Sequence, residues 1–299
     1  MTPAERAGLG YAVAGFVCLS VGDAVIKSMA GAWPAVAVAA LRFSIGAIAL
    51  SALLWRSEGR QAFVPTNPRL QLARGFCLAA ASLCFFSAIY IMPLADAMAI
   101  GFLAPVLTQL LSGPLLGEKV RPAVWGVSIV ALIGVSIILR PNLLELGWGA
   151  ILPLVSAIFF ALMVIANRAS AGQGSALSMQ VFIAGVAAPI LIIAAAVAKF
   201  SGVPEFDFGW PSWDVVLRCA IVAVTASTAH WLAYIGTVKA GASNVAPAIY
   251  VQILVAIALG WVWFGDVPDA LTLGGAALII AAGLFLWRTG KPKELKPER

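Results

Sequence analysis

Residues 93–140 read PLADAMAIGFLAPVLTQLLSGPLLGEKVRPAVWGVSIVALIGVSIILR, and residues 241–288 read GASNVAPAIYVQILVAIALGWVWFGDVPDALTLGGAALIIAAGLFLWR. The second lies over the first without a gap at a shift of 148 residues, the difference between 241 and 93. Asp96 then falls on Asn244, Phe102 on Tyr250, Gly117-Glu118 on Gly265-Asp266, Gly126 on Gly274 and Arg140 on Arg288. Identity is low, but the turn chemistry and the limits of the apolar runs coincide. A looser echo sets Gly8 on Gly149 and Lys27 on Arg168, at a shift of 141. The chain is a tandem repeat, and each copy is dominated by apolar runs.

Composition decides what those runs become. Of 299 residues, 62% are hydrophobic and 11% charged, with a mean hydropathy of +0.99. A soluble domain carries about 25% charged residues, so a water-facing surface cannot be covered. A membrane-spanning helix needs about 20 apolar residues. Hydrocarbon offers no partner to backbone N–H and C=O groups, so unbroken apolar runs close their hydrogen bonds internally as helices. A barrel would show strands of about 10 alternating residues, a pattern absent here. The expected fold class is therefore an all-α membrane protein. Its ten spans are 8–29, 33–55, 75–92, 97–116, 123–139, 147–167, 176–198, 215–238, 245–264 and 271–288. Breakers separate them: Pro65-Thr66-Asn67-Pro68, Gly117-Glu118-Lys119, Arg140-Pro141-Asn142, Gly172-Gln173-Gly174 and Gly265-Asp266-Val267-Pro268. Apolar runs continue to Trp287, so the first one is read as a retained span and not a cleaved signal. Most tryptophans fall near span ends, where headgroups favour them; Trp231 lies well inside a span.

Lysine and arginine set the expected orientation. With both termini inside, Arg6, Arg56, Arg60, Arg69, Arg74, Lys119, Arg121, Arg168, Lys239, Arg288, Lys291, Lys293, Lys296 and Arg299 face the cytoplasm. Only Lys27, Arg140, Lys199 and Arg218 face out. That bias satisfies the positive-inside rule and accounts for the net charge of +6. Nucleic acid is a poor partner, because no aromatic platform accompanies the basic clusters. The expected organisation is a first five-helix repeat over 1–146, a second over 147–289 and a basic cytoplasmic tail over 290–299. Five spans per copy is odd, so the second copy enters from the opposite side. Inverted repeats are a mark of secondary transporters, which hold substrate at the repeat interface and alternate access around it. Enzyme chemistry would need clustered acids, histidine or an activated nucleophile, and a channel would need a filter or charged ring. Neither pattern is visible. Cys18, Cys77, Cys84 and Cys219 lie in apolar runs without CxxC spacing and read as small core residues.

Leu103-Ala104-Pro105-Val106 followed by Leu116-Gly117-Glu118-Lys119 resembles the end of the first repeat in the drug/metabolite transporter superfamily. Ala246-Pro247 through Gln252, and on to Phe264-Gly265-Asp266-Val267-Pro268, resembles the same place in its second repeat. These are tandem EamA-type repeats, and the resemblance covers nearly the whole chain. Within the superfamily the chain is most similar to bacterial amino-acid exporters, including those for aromatic amino acids. That resemblance implies ten helices, cytoplasmic termini in the inner membrane, a central cavity and export of amino acids, with no cofactor and one chain acting alone. The rival reading is proton-coupled export of cationic drugs or another metabolite. The small drug exporters of the superfamily place a glutamate within their first helix. Here Glu5 precedes the first span and Asp23 is its only acid.

Candidate site residues follow from polarity inside the spans. Asp23 and Lys27 are four apart on one helix face and can pair. Asp23 and Arg42 reach similar depth in the first two spans at 1.5 Å per residue. They are expected to pair across helices, fixing packing, binding an ammonium or carboxylate, or moving a proton. His230 is the only histidine, beside Trp231 and four before Tyr234; with no acid at ligand spacing, a metal is not expected. Phe86 and Tyr90 repeat the four-residue spacing, Phe102 and Tyr250 are matched across the repeat, and Phe160 adjoins Phe159. Each serves packing or lines a cavity for apolar substrates. Gln109, Asn167 and Gln252 are the neutral polar candidates, for substrate or for bonds between helices. Pro105, central in the fourth span, is read as a kink that gates or lines the cavity. Gly126, Gly134, Gly274 and Ala282 are expected at a close helix contact.

Overall fold

A computed structural model describes residues 3–117, 122–170, 172–240 and 245–290. Among them the chain is helical, with no strand. The helices are α1 (Pro3–Lys27), α2 (Ala35–Glu58), α3 (Pro68–Ile91), α4 (Leu94–Gly101), α5 (Ala104–Leu116), α6 (Pro122–Leu146), α7 (Leu152–Ala169), α8 (Ala176–Lys199), α9 (Trp213–Ala240), α10 (Val251–Phe264) and α11 (Ala270–Gly290). Single 3₁₀ stretches at Gly147–Ile151 and Ala246–Tyr250 lead into α7 and α10. Among the described residues, seven helical segments are long and apolar enough to cross a membrane, counting α4 and α5 together. Three shorter apolar helices accompany them, Trp125–Leu139, Ala248–Phe264 and Ala270–Phe285.

Two sequence expectations are corrected. The fourth span is not one kinked helix with Pro105 at its centre. It breaks at Phe102-Leu103, and Pro105 sits in the first turn of α5, where a missing N–H costs nothing because first-turn donors have no intrahelical acceptor. The proline inside α5 is Pro114. Arg140-Pro141-Asn142 is not a turn, since α6 continues to Leu146. A proline near a helix end can be accommodated where water serves the freed carbonyl.

Helix contacts come in matched pairs. α1 packs on α9 as α3 packs on α7, and α2 meets α9 as α3 meets α8. α5 also meets α7 as α10 meets α1, and α2 with α8, α6 with α11 and α4 with α10 are further cross-contacts. The two broken spans meet: the rings of Phe102 and Tyr250 stand edge to face at 5.4 Å. Their helices also end alike, because Gly117 and Gly265 take left-handed φ of 71° and 70° at the ends of α5 and α10. Glycine adopts that cap without the Cβ penalty.

Small residues let backbones approach. Gly8, Gly15 and Gly22 recur every seven residues along the α1 face that meets α9. A methyl group at position 15 would lie 2.7 Å from the Ala229 carbonyl oxygen, whereas one at Gly10 would meet nothing within 4 Å. Between α6 and α11 the close approach is Gly134 against Gly275, where a methyl at 275 would lie 2.6 Å from the Gly134 oxygen. Gly126 and Gly274 have nothing within 4 Å, so the expected stripe is shifted by one residue on α11.

Polar ties close both ends of the bundle. At the end carrying the α1–α2 loop, here the far face, Lys27 Nζ lies 2.6 Å from Asp266 Oδ2 and donates to Met92 O at 2.9 Å. Phe264 lies beneath the same ammonium at 5.2 Å. Arg218 donates to Ser28 O at 2.9 Å and pairs with Asp214. At the opposite face buried Arg74 donates to Asn167 Oδ1 at 2.6 Å and to Gln71. Arg74 thereby ties α3 to the end of α7, much as Arg218 ties α9 to the end of α1.

Two substitutions test these contacts by thermal unfolding in detergent. Gly15→Val forces α1 from α9 and should cost about 1–3 kcal/mol, while Gly10→Ala should be neutral or stabilise by up to about 1 kcal/mol. Asp266→Ala leaves the Lys27 ammonium, whose side chain is only 12% exposed, without its carboxylate. A loss of about 1–3 kcal/mol is expected, between the surface and buried limits, and exchanging the two charges should restore part of it.

Candidate functional site

α1 and α2 both pack on α9, and the three helices carry three of the expected polar residues. Asp23 lies one turn from the far end of α1, Arg42 two turns into α2, and His230 in the second half of α9. Asp23 and Arg42 are half-buried, and His230 is solvent-accessible. The expected Asp23–Arg42 pairing is not made as contact: among the described residues neither side chain closes an ion pair or a hydrogen bond. The Asp23–Lys27 pairing suggested by helical spacing is replaced. Lys27 turns to Asp266, which offers a carboxylate at 2.6 Å without the strain of bending along one helix.

Arg42 is held by rings. Its Cζ lies 4.2 Å from the centroid of Phe43 and 5.6 Å from that of Phe86. Both rings are buried. A cation over ring faces is favoured by their quadrupole, and the guanidinium keeps five N–H donors in its plane. Phe43 was not singled out from sequence; only its position directly after the lone intramembrane arginine could have marked it.

The other aromatic candidates divide. Tyr90 reaches the far face, and its Oη is buried without a hydrogen-bond partner among the described residues. Phe102 and Tyr250 pack on each other where the two broken spans meet. Phe160 and Trp231 are exposed, at 41% and 63%. Phe159, next to Phe160, packs edge-on against Phe76. The side chain of Tyr234 lies outside the described residues. Gln252 is buried, and its carbonyl accepts from Ser20 Oγ at 3.2 Å. Asn167 is engaged by Arg74, and Gln109 is exposed. Among the described residues no three His, Cys, Asp or Glu side chains gather as a metal site would require.

Among the described residues the cavities include two of ligand-like volume. One, of about 440 Å³, opens on the far face between Trp33, Tyr90, Glu205, Asp207 and Phe208. Trp33 forms part of its wall, donating to Gly209 O and meeting Phe208 edge-on at 5.6 Å. Tyr90 lines this cavity and packs against the core cluster that contains Cys219. The other cavity, of about 550 Å³, is an apolar groove between α6 and α11 along Gly126, Val130 and Phe285. It offers no polar group to orient a small polar ligand.

Comparison with known proteins supplies the frame for this site. The pseudopaline exporter CntI of Pseudomonas aeruginosa is 29% identical over 293 residues, covering 96% of this chain and 98% of that protein. An S-adenosylmethionine uptake transporter of Rickettsia bellii is 25% identical over 283 residues, covering 93% and 92%. A riboflavin transporter of Vibrio cholerae is 25% identical over 292 residues, covering 96% and 93%. A solved crystal structure superimposes with a TM-score of 0.61 at 19% identity, over 95% of this chain and 99% of that one, which supports the fold. The EamA-like transporter family matches twice, over residues 6–140 and 147–288. With nearly its whole length in those two matches, the chain belongs to the EamA-like transporter family, and it is a multi-pass membrane protein of bacterial type.

Proposed function

We propose that this protein exports small metabolites, foremost amino acids of broad range including aromatic ones, across the bacterial inner membrane by alternating access. The carrier is built from ten spans as two inverted repeats, 1–146 and 147–289, with a basic tail at 290–299 and both termini in the cytoplasm. One observation carries the reading: the two interrupted spans, at positions matched by the repeat, meet at Phe102 and Tyr250. Secondary transporters place substrate and moving parts where discontinuous helices of inverted halves face each other. The paired helix contacts and the two family matches support the same division. The lysine and arginine bias supports the far face as the outside.

Substrate class rests on the lining. Aromatic side chains at Phe86, Tyr90, Phe102, Phe160, Trp231 and Tyr250 suit apolar and aromatic parts of a ligand, and Asp23, His230 and Gln252 supply polar contacts. Relatives are named for both export and uptake, so direction here rests on the likeness to exporters. S-adenosylmethionine, moved by one set of relatives, itself carries an α-amino-acid group. A second reading, export of organic cations, draws on Asp23, a carboxylate without a protein partner among the described residues.

Purified protein in liposomes tests the proposal. Saturable flux of labelled phenylalanine and threonine, abolished by excess unlabelled amino acid and absent from empty liposomes, is the expected result. Flux of a lipophilic cation that amino acids fail to compete would favour the second reading. Folded protein that moves neither amino acid would overturn the first.

A further inference from the structure

Charges inside a bilayer are costly and are held by one another, by backbone or by water-filled space. Asp23 and Arg42 depart from the usual solution. They carry opposite charge and lie on helices that both pack on α9, yet stay beyond ion-pair contact. An ion pair placed only to fix packing would close, because desolvated charges are repaid only by good contact geometry. Here Arg42 instead lies over the rings of Phe43 and Phe86. Its in-plane donors have no protein acceptor, and Asp23 has no protein donor, among the described residues. The pattern is a cation and an anion held apart with their hydrogen-bonding edges unused.

We propose that Arg42 and Asp23 form the head-group site of the carrier, Arg42 taking the carboxylate and Asp23 the ammonium of a zwitterionic substrate. The assignment rests on the amino-acid reading above and sharpens it. An α-amino acid carries both charges on one carbon, so a single compact ligand can complete both partners. Arginine is suited to the anionic half because its planar fork meets a carboxylate bidentately. The rings of Phe43 and Phe86 restrict the guanidinium and so reduce the ordering cost of binding. The remainder of the substrate is not specified by these two residues, which allows one site to accept many side chains. Phe86, already under Arg42, and Tyr90, one turn further along α3, are placed to meet that remainder.

The test uses full-length protein in liposomes and three competitors of labelled phenylalanine flux: phenylalanine, phenethylamine, which lacks the carboxylate, and 3-phenylpropionate, which lacks the ammonium. Wild-type protein should prefer phenylalanine over either truncated ligand by about tenfold or more, as expected for a charge-assisted hydrogen bond. Arg42→Gln should weaken phenylalanine and 3-phenylpropionate by roughly that factor and leave phenethylamine unchanged. Asp23→Asn should weaken phenylalanine and phenethylamine and leave 3-phenylpropionate unchanged. Arg42→Lys keeps the charge without the fork and should fall between wild type and Arg42→Gln. Gel filtration establishes that each variant is folded, and the wild-type ligand series decides the matter without any variant. Equal competition by all three ligands, or equal loss for all three in both variants, overturns the assignment while leaving amino-acid transport standing. No phenylalanine flux by folded wild-type protein overturns the amino-acid reading and this assignment together.

Discussion

Hydrocarbon supplies no hydrogen bonds, and that constraint organises the whole molecule. Each apolar run satisfies its backbone by coiling into helix. Helices then meet without a hydrophobic force between them, so packing is left to shape. Gly8, Gly15 and Gly22 along α1, and Gly134 against Gly275, are where shape allows backbones to touch. Polar side chains follow the same rule. Lys27, Arg74, Arg218 and Asp96 all find partners, and Asp96 accepts from Thr272 Oγ1 at 2.9 Å. Against that background the unused edges of Asp23 and Arg42 stand out as places kept for something other than packing.

The tandem design adds a second layer. Each half supplies one broken span, and the breaks sit against each other at Phe102 and Tyr250. A helix interrupted at Phe102-Leu103, or entered through the 3₁₀ stretch Ala246–Tyr250, lacks an unbroken α-helical hydrogen-bond ladder at that point. The ties at the two faces use different residues, Lys27 with Asp266 and Arg74 with Asn167. Under the proposed alternating access, one face would open without breaking the contacts that hold the other.

Much of this was legible in the sequence, because it depends on local chemistry. Apolar run lengths placed most helix limits within a few residues, and α8 over Ala176–Lys199 agrees with the expected span to one residue. The repeat matched Phe102 with Tyr250, whose rings meet in the structure, and Gly117 and Gly265 marked matching helix ends. What escaped depends on choices between partners. Helical spacing offered Asp23 to Lys27, but tertiary packing put Asp266 closer. Proline chemistry allowed both a kinked helix and a new helix start at Pro105, and only the break at Phe102-Leu103 separates them. The placement of Arg42 over Phe43 and Phe86 was invisible, since it requires the rotamer of one side chain and the position of another helix.

The inverted arrangement is the claim on which alternating access depends, and side-specific labelling addresses it directly. Cys18, Cys77, Cys84 and Cys219 would first be replaced, and a single cysteine introduced at Gln61, between α2 and α3, or at Val203, between α8 and α9. These loops occupy corresponding places in the two halves. With a membrane-impermeant thiol reagent, inverted halves require the cysteine at 61 to react only from the cytoplasmic side and that at 203 only from outside. Reaction of both from the same side would contradict the inverted repeat and the carrier mechanism built on it.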